Sequence, residues 1–195
     1  MVRSAPILVA LLLASGSLAQ AQGQSQSRTQ AQNDHLKADV DALLNALKDA
    51  PNEQTATLLE NRLQATWLRA GTAVTTLLIS RGLRSMKAEQ WDDAVDCFND
   101  AIVLKPDFAE AYRQRGLAKF QDGDTPGAVA DLGEAVRLEP RDFLAYRSLT
   151  EIATARDDWK SAYLAWQKVM ELDPKTAGGE ARLRELKQKA VGEDL

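Results

Sequence analysis

Three prolines, Pro106, Pro140 and Pro174, stand 34 residues apart, and each closes a similar phrase: AIVLKP, AVRLEP and KVMELDP. Twelve residues before each proline lies an alanine, Ala94, Ala128 or Ala162. Eight residues before each lies a large apolar side chain, Phe98, Leu132 or Trp166. Gly82 and Gly116 keep the same spacing, with Thr150 in the third frame. A period of this length accommodates two amphipathic helices and their turns, and it points to an array of stacked helical hairpins. One hairpin cannot bury its apolar faces alone, whereas neighbours in a stack bury them for each other.

Each recurring residue has a physical task in such a unit. The alanines let two helix backbones approach, and the large residue one turn later fills the space between hairpins. Glycine near the middle of the first helix serves the same approach, at about 1 kcal/mol of helix propensity against alanine. Proline stops the second helix because it has no amide hydrogen to give. The spacing predicts helix pairs at about 75–87 and 91–104, 109–121 and 125–138, and 143–155 and 159–172. The segments KAEQW, QDGDT and ARDDW form the short turns between them.

On these residues the chain resembles the tetratricopeptide repeat (TPR) family. Repeat one, 75–108, carries Leu78, Gly82, Ala94, Phe98, Ala101 and Pro106 of its pattern. Repeat two, 109–142, carries Tyr112, Gly116, Ala128, Leu132, Ala135 and Pro140, and repeat three, 143–176, carries Tyr146, Leu149, Ala162, Trp166 and Pro174. There are departures: Arg81 and Arg115 stand where leucine is usual, Ser85, Lys119 and Ala153 replace a tyrosine, and Val169 replaces a small residue. The resemblance implies an all-α fold, a right-handed α–α superhelix or solenoid, with an amino-terminal half-repeat and a carboxy-terminal capping helix.

The flanks follow from pattern. Residues 1–21 combine Arg3, an apolar run from Ile7 to Ala14 and small residues at Ala19 and Ala21, the layout of a cleaved export signal. That run is shorter than the roughly 20 residues of a membrane span, and no second one follows. The expected destination is a bacterial periplasm or the secreted space. Residues 22–33 are rich in Gln and Ser without apolar periodicity and read as a flexible leader. Within 34–70, Leu43, Leu44 and Leu47 precede Pro51, and a helix carrying Leu58, Leu59, Leu63, Trp67 and Leu68 follows. This segment is expected to be a degenerate helical cap or half-repeat, with a dimerisation surface as the alternative. Residues 177–195 read as a capping helix and tail, with a narrow seam of Leu183 and Leu186.

In the family that the repeats resemble, first helices line a groove for a peptide or a partner's helix. Carried onto this chain, the groove positions are Ile79, Leu83 and Met86 in repeat one, Arg113, Leu117 and Phe120 in repeat two, and Arg147 and Glu151 in repeat three. Internal packing, or cover by the helix at 53–70, is the competing reading of the same residues. Arg113 and Arg147 fall in one register and suit carboxylates, and isolated ladder ion pairs explain them almost as well. The polar donors of the chaperone-tail clamp are missing, since Ile79 and Leu83 occupy their positions.

Composition removes other classes. One Cys and one His among 195 residues supply too few ligands for zinc or iron–sulfur chemistry, and Cys97 is far in sequence from His35. A net charge of −4 lacks the basic excess of a nucleic-acid binder. Asp92, Asp96 and Asp100 recur every four residues on one helix surface and read as a solvated face, not a catalytic pair. The expectation is a noncatalytic protein- or peptide-binding scaffold without cofactor, metal or stable membrane span. Self-association through the amino-terminal helices or repeat ends is the second reading.

Overall fold

The computed structural model describes residue 27 and residues 30–192; the expected export signal at 1–21, most of the expected leader at 22–33 and the last three residues lie outside the described residues. The chain divides into two compact units, 1–39 and 40–195. In the first, residues 30–39 are helical, mostly exposed, and carry a hydrogen bond from Gln30 Nε2 to Asp34. The second unit holds the repeats. Among the described residues every regular element is a helix.

In the second unit α1 covers residues 40–48 and ends just before Pro51. Then follow α2 (Glu53–Leu68), α3 (Ala73–Lys87), α4 (Trp91–Leu104), α5 (Ala109–Gln121), α6 (Thr125–Leu138), α7 (Phe143–Ala155), α8 (Trp159–Leu172) and α9 (Gly179–Gly192). Side chains satisfy the first amides of most of them. Asn52 caps α2, Thr72 caps α3, Asp124 caps α6, Asp142 caps α7 and Asp158 caps α8. Each period-marking proline comes one residue after the C-cap of α4, α6 or α8. The result is a TPR-like helical solenoid: α3 and α4, α5 and α6, and α7 and α8 pair as hairpins, and consecutive hairpins stack.

Ala94, Ala128 and Ala162 have no exposed surface, nor do Phe98 and Leu132. A Cβ on Gly82 would meet the Phe98 ring at 2.5 Å, which shows how closely α3 and α4 approach. Trp166 is half-buried and donates its indole N–H to the Gly179 carbonyl at 3.0 Å, tying α8 to α9. Leu186 and Ala190 of α9 are buried, and the Lys189 ammonium sits 3.8 Å from the Trp159 ring centre.

The turn inside each hairpin uses one left-handed residue, Glu89 (φ 57°), Gly123 (φ 92°) or Asp157 (φ 56°). These three positions are again 34 apart, yet only one holds the residue that adopts this conformation without steric cost.

The polar ties between hairpins are local. Arg115 donates from Nε and Nη2 to Asp131 at 2.8 and 2.5 Å, and from Nη1 to Asn99 at 2.7 Å. One guanidinium thereby joins α4, α5 and α6, and Lys119 adds a contact to Asp131 at 2.9 Å. The arginine standing where the repeat pattern favours leucine thus replaces apolar packing by a charge-assisted bridge.

Candidate functional site

The groove positions start from α3, α5 and α7, whose first halves and second halves have different surroundings. The difference is made by α2. Its Leu68 carbonyl accepts from Thr76 Oγ1 at 3.3 Å, and Gly71 just beyond it approaches Phe108 at the start of α5. One turn back, Trp67 packs against Phe143 with ring centres 5.7 Å apart. Glu60 receives two hydrogen bonds from Arg147 at 2.7 and 3.0 Å, and Glu53 accepts from the Gly178 amide at 3.4 Å. Thus α2 runs crosswise over the amino-terminal ends of α5, α7 and α9. It does not continue the stack as an eighth helix laid beside α3.

The residues facing that way are spaced for it. Glu53, Ala56, Glu60, Leu63 and Trp67 recur every three or four positions and share one helix face. Ala56, Leu63 and Trp67 are buried with Val40, Leu44 and Leu47 of α1 and with Phe143. Leu58 points elsewhere and is 70% exposed. Arg141 adds an ion pair to Asp41 of α1.

A compact polar knot lies under α2. Arg147 reaches Glu60, Asp173 at 3.4 Å and the Thr176 hydroxyl. Burial pushes the Asp173 carboxyl up to about 7, and the neighbouring Glu60 adds to the shift while Arg147 opposes it. Burial also works against the charged form of Glu60, but its hydrogen bonds to Arg147 and Asp173 outweigh that and hold it below its usual range. Below about pH 7 the arrangement holds a proton on Asp173 beside Glu60, whose charge is neutralised by arginine. Asp173 Oδ1 and Trp67 Nε1 are buried with no hydrogen-bond partner.

Arg113 has a comparable internal task. It is 3% exposed, donates to Glu110 at 2.5 Å, and lies 3.4 Å from Asp142, the residue capping α7. Burial raises Asp142 to about 6 against the pull of Arg113. The guanidinium is therefore a strut between α5 and α7, and the expectation that it orients a ligand is corrected. Ile79 is also displaced from the groove surface. It has no exposed area, because its position turns it into the seam between α3, α4 and α5, among Phe98, Ala101 and Ala111. Arg147 is partly exposed, but its donors already serve α2 and residues 173–176.

Five of the expected positions are left on the second halves of these helices. Leu83 and Met86 are half-buried against the α3–α4 core, and Phe120 is half-buried against the α6–α7 core. Leu117 is half-buried and Glu151 exposed. In the register of the repeats they line up as four apolar positions with an acidic end, beside the edge that α2 covers. Glu60 and Trp67 define that edge, and the only sequence signal for it was the three-to-four spacing of a stripe that mixes carboxylates with apolar groups.

On the outer face Asp92, Asp93, Asp96 and Asp100 are exposed. Asp124 in the GDTPG turn accepts from the Gly127 amide, which gives that segment a capping role. Cys97 is buried and free, and burial pushes its thiol up. No described helix is long and apolar enough to cross a membrane.

Residues 82–147 match the family model described as tetratricopeptide repeat. A TPR repeat-containing protein of Rhizobium etli is 24% identical over 156 residues, which cover 80% of this chain and 76% of that protein. Tetratricopeptide repeat protein 36 of Xenopus tropicalis is 32% identical over 124 residues, 55% of this chain and 61% of its own length. Among solved structures, the first TPR of Spaghetti bound to an HSP90 peptide superposes with a TM-score of 0.56 at 23% identity, covering 60% of this chain and 94% of that one. The TPR2B domain of yeast Sti1 in complex with an Hsp70 peptide gives 0.55 at 22% identity, covering 63% and 99%. At these identities the structures speak for the fold.

Proposed function

The chain is a tetratricopeptide-repeat protein, and from that premise we propose that it is a noncatalytic adaptor that binds a protein or peptide along the uncovered halves of α3, α5 and α7. The observation carrying this reading is the half-buried strip of Leu83, Met86, Leu117 and Phe120, which α2 leaves open. Contiguous apolar surface of this kind commonly marks a contact site. The helices that carry it are held by their hairpins before any ligand arrives, so little conformational entropy is lost on binding. The HSP90 and Hsp70 peptides in the related complexes support peptide recognition as the mode of action. The ligand expected here differs in chemistry. Arg113 and Arg147 are already neutralised by carboxylates of the chain itself, so apolar anchors, not a terminal carboxylate, provide the hold.

The setting belongs to the same reading. The segment Met1–Ala21 has the layout of an export address, which supports a periplasmic or secreted setting for the adaptor. Amino-terminal sequencing of the protein from an envelope fraction is expected to begin at Gln22.

The binding assignment is tested with peptides selected from a displayed library against the purified protein. Leu117→Asp alone, and the triple change L83D, L117D and F120D, should each weaken a selected peptide by at least about tenfold, equivalent to roughly 1.4 kcal/mol. Circular dichroism and thermal unfolding establish that the variants remain folded. Undiminished binding by the folded triple variant would remove the strip from the site.

A further inference from the structure

The first hairpin has a second flank that no described element of the repeat-bearing unit covers, and its chemistry is read from the equivalent flank one repeat later. The Gly82–Phe98 contact fixes how α3 faces α4. Counting about 100° per residue from that line, Val74, Leu77, Leu78 and Arg81 lie on the side of α3 away from α5. Asp93, Cys97, Asp100 and Leu104 lie on the matching side of α4. The charges surrounding the Cys97 thiol, Arg81 and Asp100 foremost, agree with this placement.

Thirty-four residues later, the counterparts of Val74 and Leu77 are Phe108 and Ala111, which are 2% and 0% exposed. The counterpart of Arg81 is Arg115, which crosses to Asn99 on the preceding hairpin and to Asp131 on its own. In the first hairpin that pattern is left open. Val74 is 56% exposed, Leu77 64% and Leu104 57%. The Asp131 position holds Cys97, and among the described residues Arg81, Asp93 and Asp100 form no ion pair. Among the described residues no hairpin precedes α3 in the stack, because α2 runs crosswise over other helices.

The geometry points to a second copy of this chain as the occupant of the flank. A two-fold axis parallel to α3 and α4 puts each α3 upon the other copy's α4 and keeps heights along the helices unchanged. Measured from the Gly82–Phe98 contact at about 1.5 Å per residue, Arg81 then stands within about 1.5 Å of the height of Asp100 on the second copy. Val74 and Leu77 bracket the height of Leu104 in the same way. One flank thus offers a cation, an anion and two apolar patches in the order in which its own rotated image receives them. This isologous fit is independent of the peptide strip, which lies on the opposite side of α3.

Sedimentation equilibrium of the purified protein across micromolar concentrations tests this. The wild type should approach twice the chain mass, and its association should weaken with salt. Arg81→Asp and Asp100→Arg should each weaken association at least tenfold while leaving helical content unchanged, since like charges then meet twice. Mixing the two single variants restores both opposite-charge contacts, so the mixture should associate, and so should the double variant R81D/D100R. A wild type that stays monomeric overturns the inference. Dimers that persist in both single variants, or that neither the mixture nor the double variant recovers, overturn it as well.

Discussion

Replacing Gly82 by alanine asks the α3–α4 seam to accept a methyl group at a place already filled. The added Cβ would lie 2.5, 2.7 and 3.0 Å from three carbons of the Phe98 ring. Carbon atoms rest at about 3.5–4.0 Å, so the ring or the helix must move by roughly 1 Å. Phe98 has no exposed surface and cannot swing into solvent. Overpacking of this kind destabilises by about 1–3 kcal/mol, while alanine in a helix interior returns about 1 kcal/mol over glycine. The net expectation is a loss of about 0–2 kcal/mol. Gly133 in α6 supplies the control, since nothing lies within 4 Å of its added Cβ. Gly133→Ala should therefore gain about 1 kcal/mol from propensity alone. Gly116→Ala falls between, with the Ala128 carbonyl and Leu132 at 3.1 Å. Urea unfolding followed by far-UV circular dichroism resolves these differences, and in a chain of this size each 1 kcal/mol moves Tm by roughly 2–4 °C. If G82A proved as stabilising as G133A, the rigid close approach argued for the hairpin would be wrong.

Two further outcomes are expected. Asp173 and Asp142 have folded values raised to about 7 and about 6 from 3.8, so the folded state holds their protons more tightly than the unfolded chain. Their contribution is complete below about pH 4 and is lost as pH rises through those values, opposite to the usual carboxylate, while Glu60 contributes with the usual sign. Between about pH 5 and pH 7 the urea midpoint should fall as pH rises, and Asp173→Asn should flatten that slope; an unchanged slope in D173N would place the proton elsewhere. At the hairpin turns, Glu89→Gly and Asp157→Gly should stabilise by up to about 1 kcal/mol each, because left-handed geometry strains a side chain by about 1–2 kcal/mol and glycine returns part of that as unfolded-state entropy. Thermal melts showing a loss in both variants would refute the strain.

The repeat lattice was legible because its determinants are local and recur: alanine against alanine, glycine against a ring, proline after each second helix. The course of α2 was not. The link at 69–72 is compatible with stacking beside α3 or crossing over α7, and only contacts with partners about a hundred residues away decide between them. Arg113 and Arg147 looked like ligand groups for the same reason, since Asp142 is near in sequence only to the next helix and Glu60 lies 87 residues from Arg147. Ile79 missed the groove by less than a quarter turn, a rotation that the repeat pattern alone does not resolve. The left-handed turn was legible at Gly123 and concealed at Glu89 and Asp157, where the side chain disguises the backbone.

The crosswise helix also sets an order of events during synthesis. The tie between hairpins from Arg115 to Asn99 spans 16 residues, whereas the polar ties of α2 to α7 and the start of α9 span 87 to 125. Hairpins can form and stack as they emerge, since each depends only on its neighbour. The stripe of Leu63 and Trp67 emerges before any of them and waits for α7 and the start of α9 to exist. At about 5–20 residues per second that interval is roughly 6–25 s. During it α2 has only α1 to pack against, ahead of a lengthening stack, and closure of the long loop comes last.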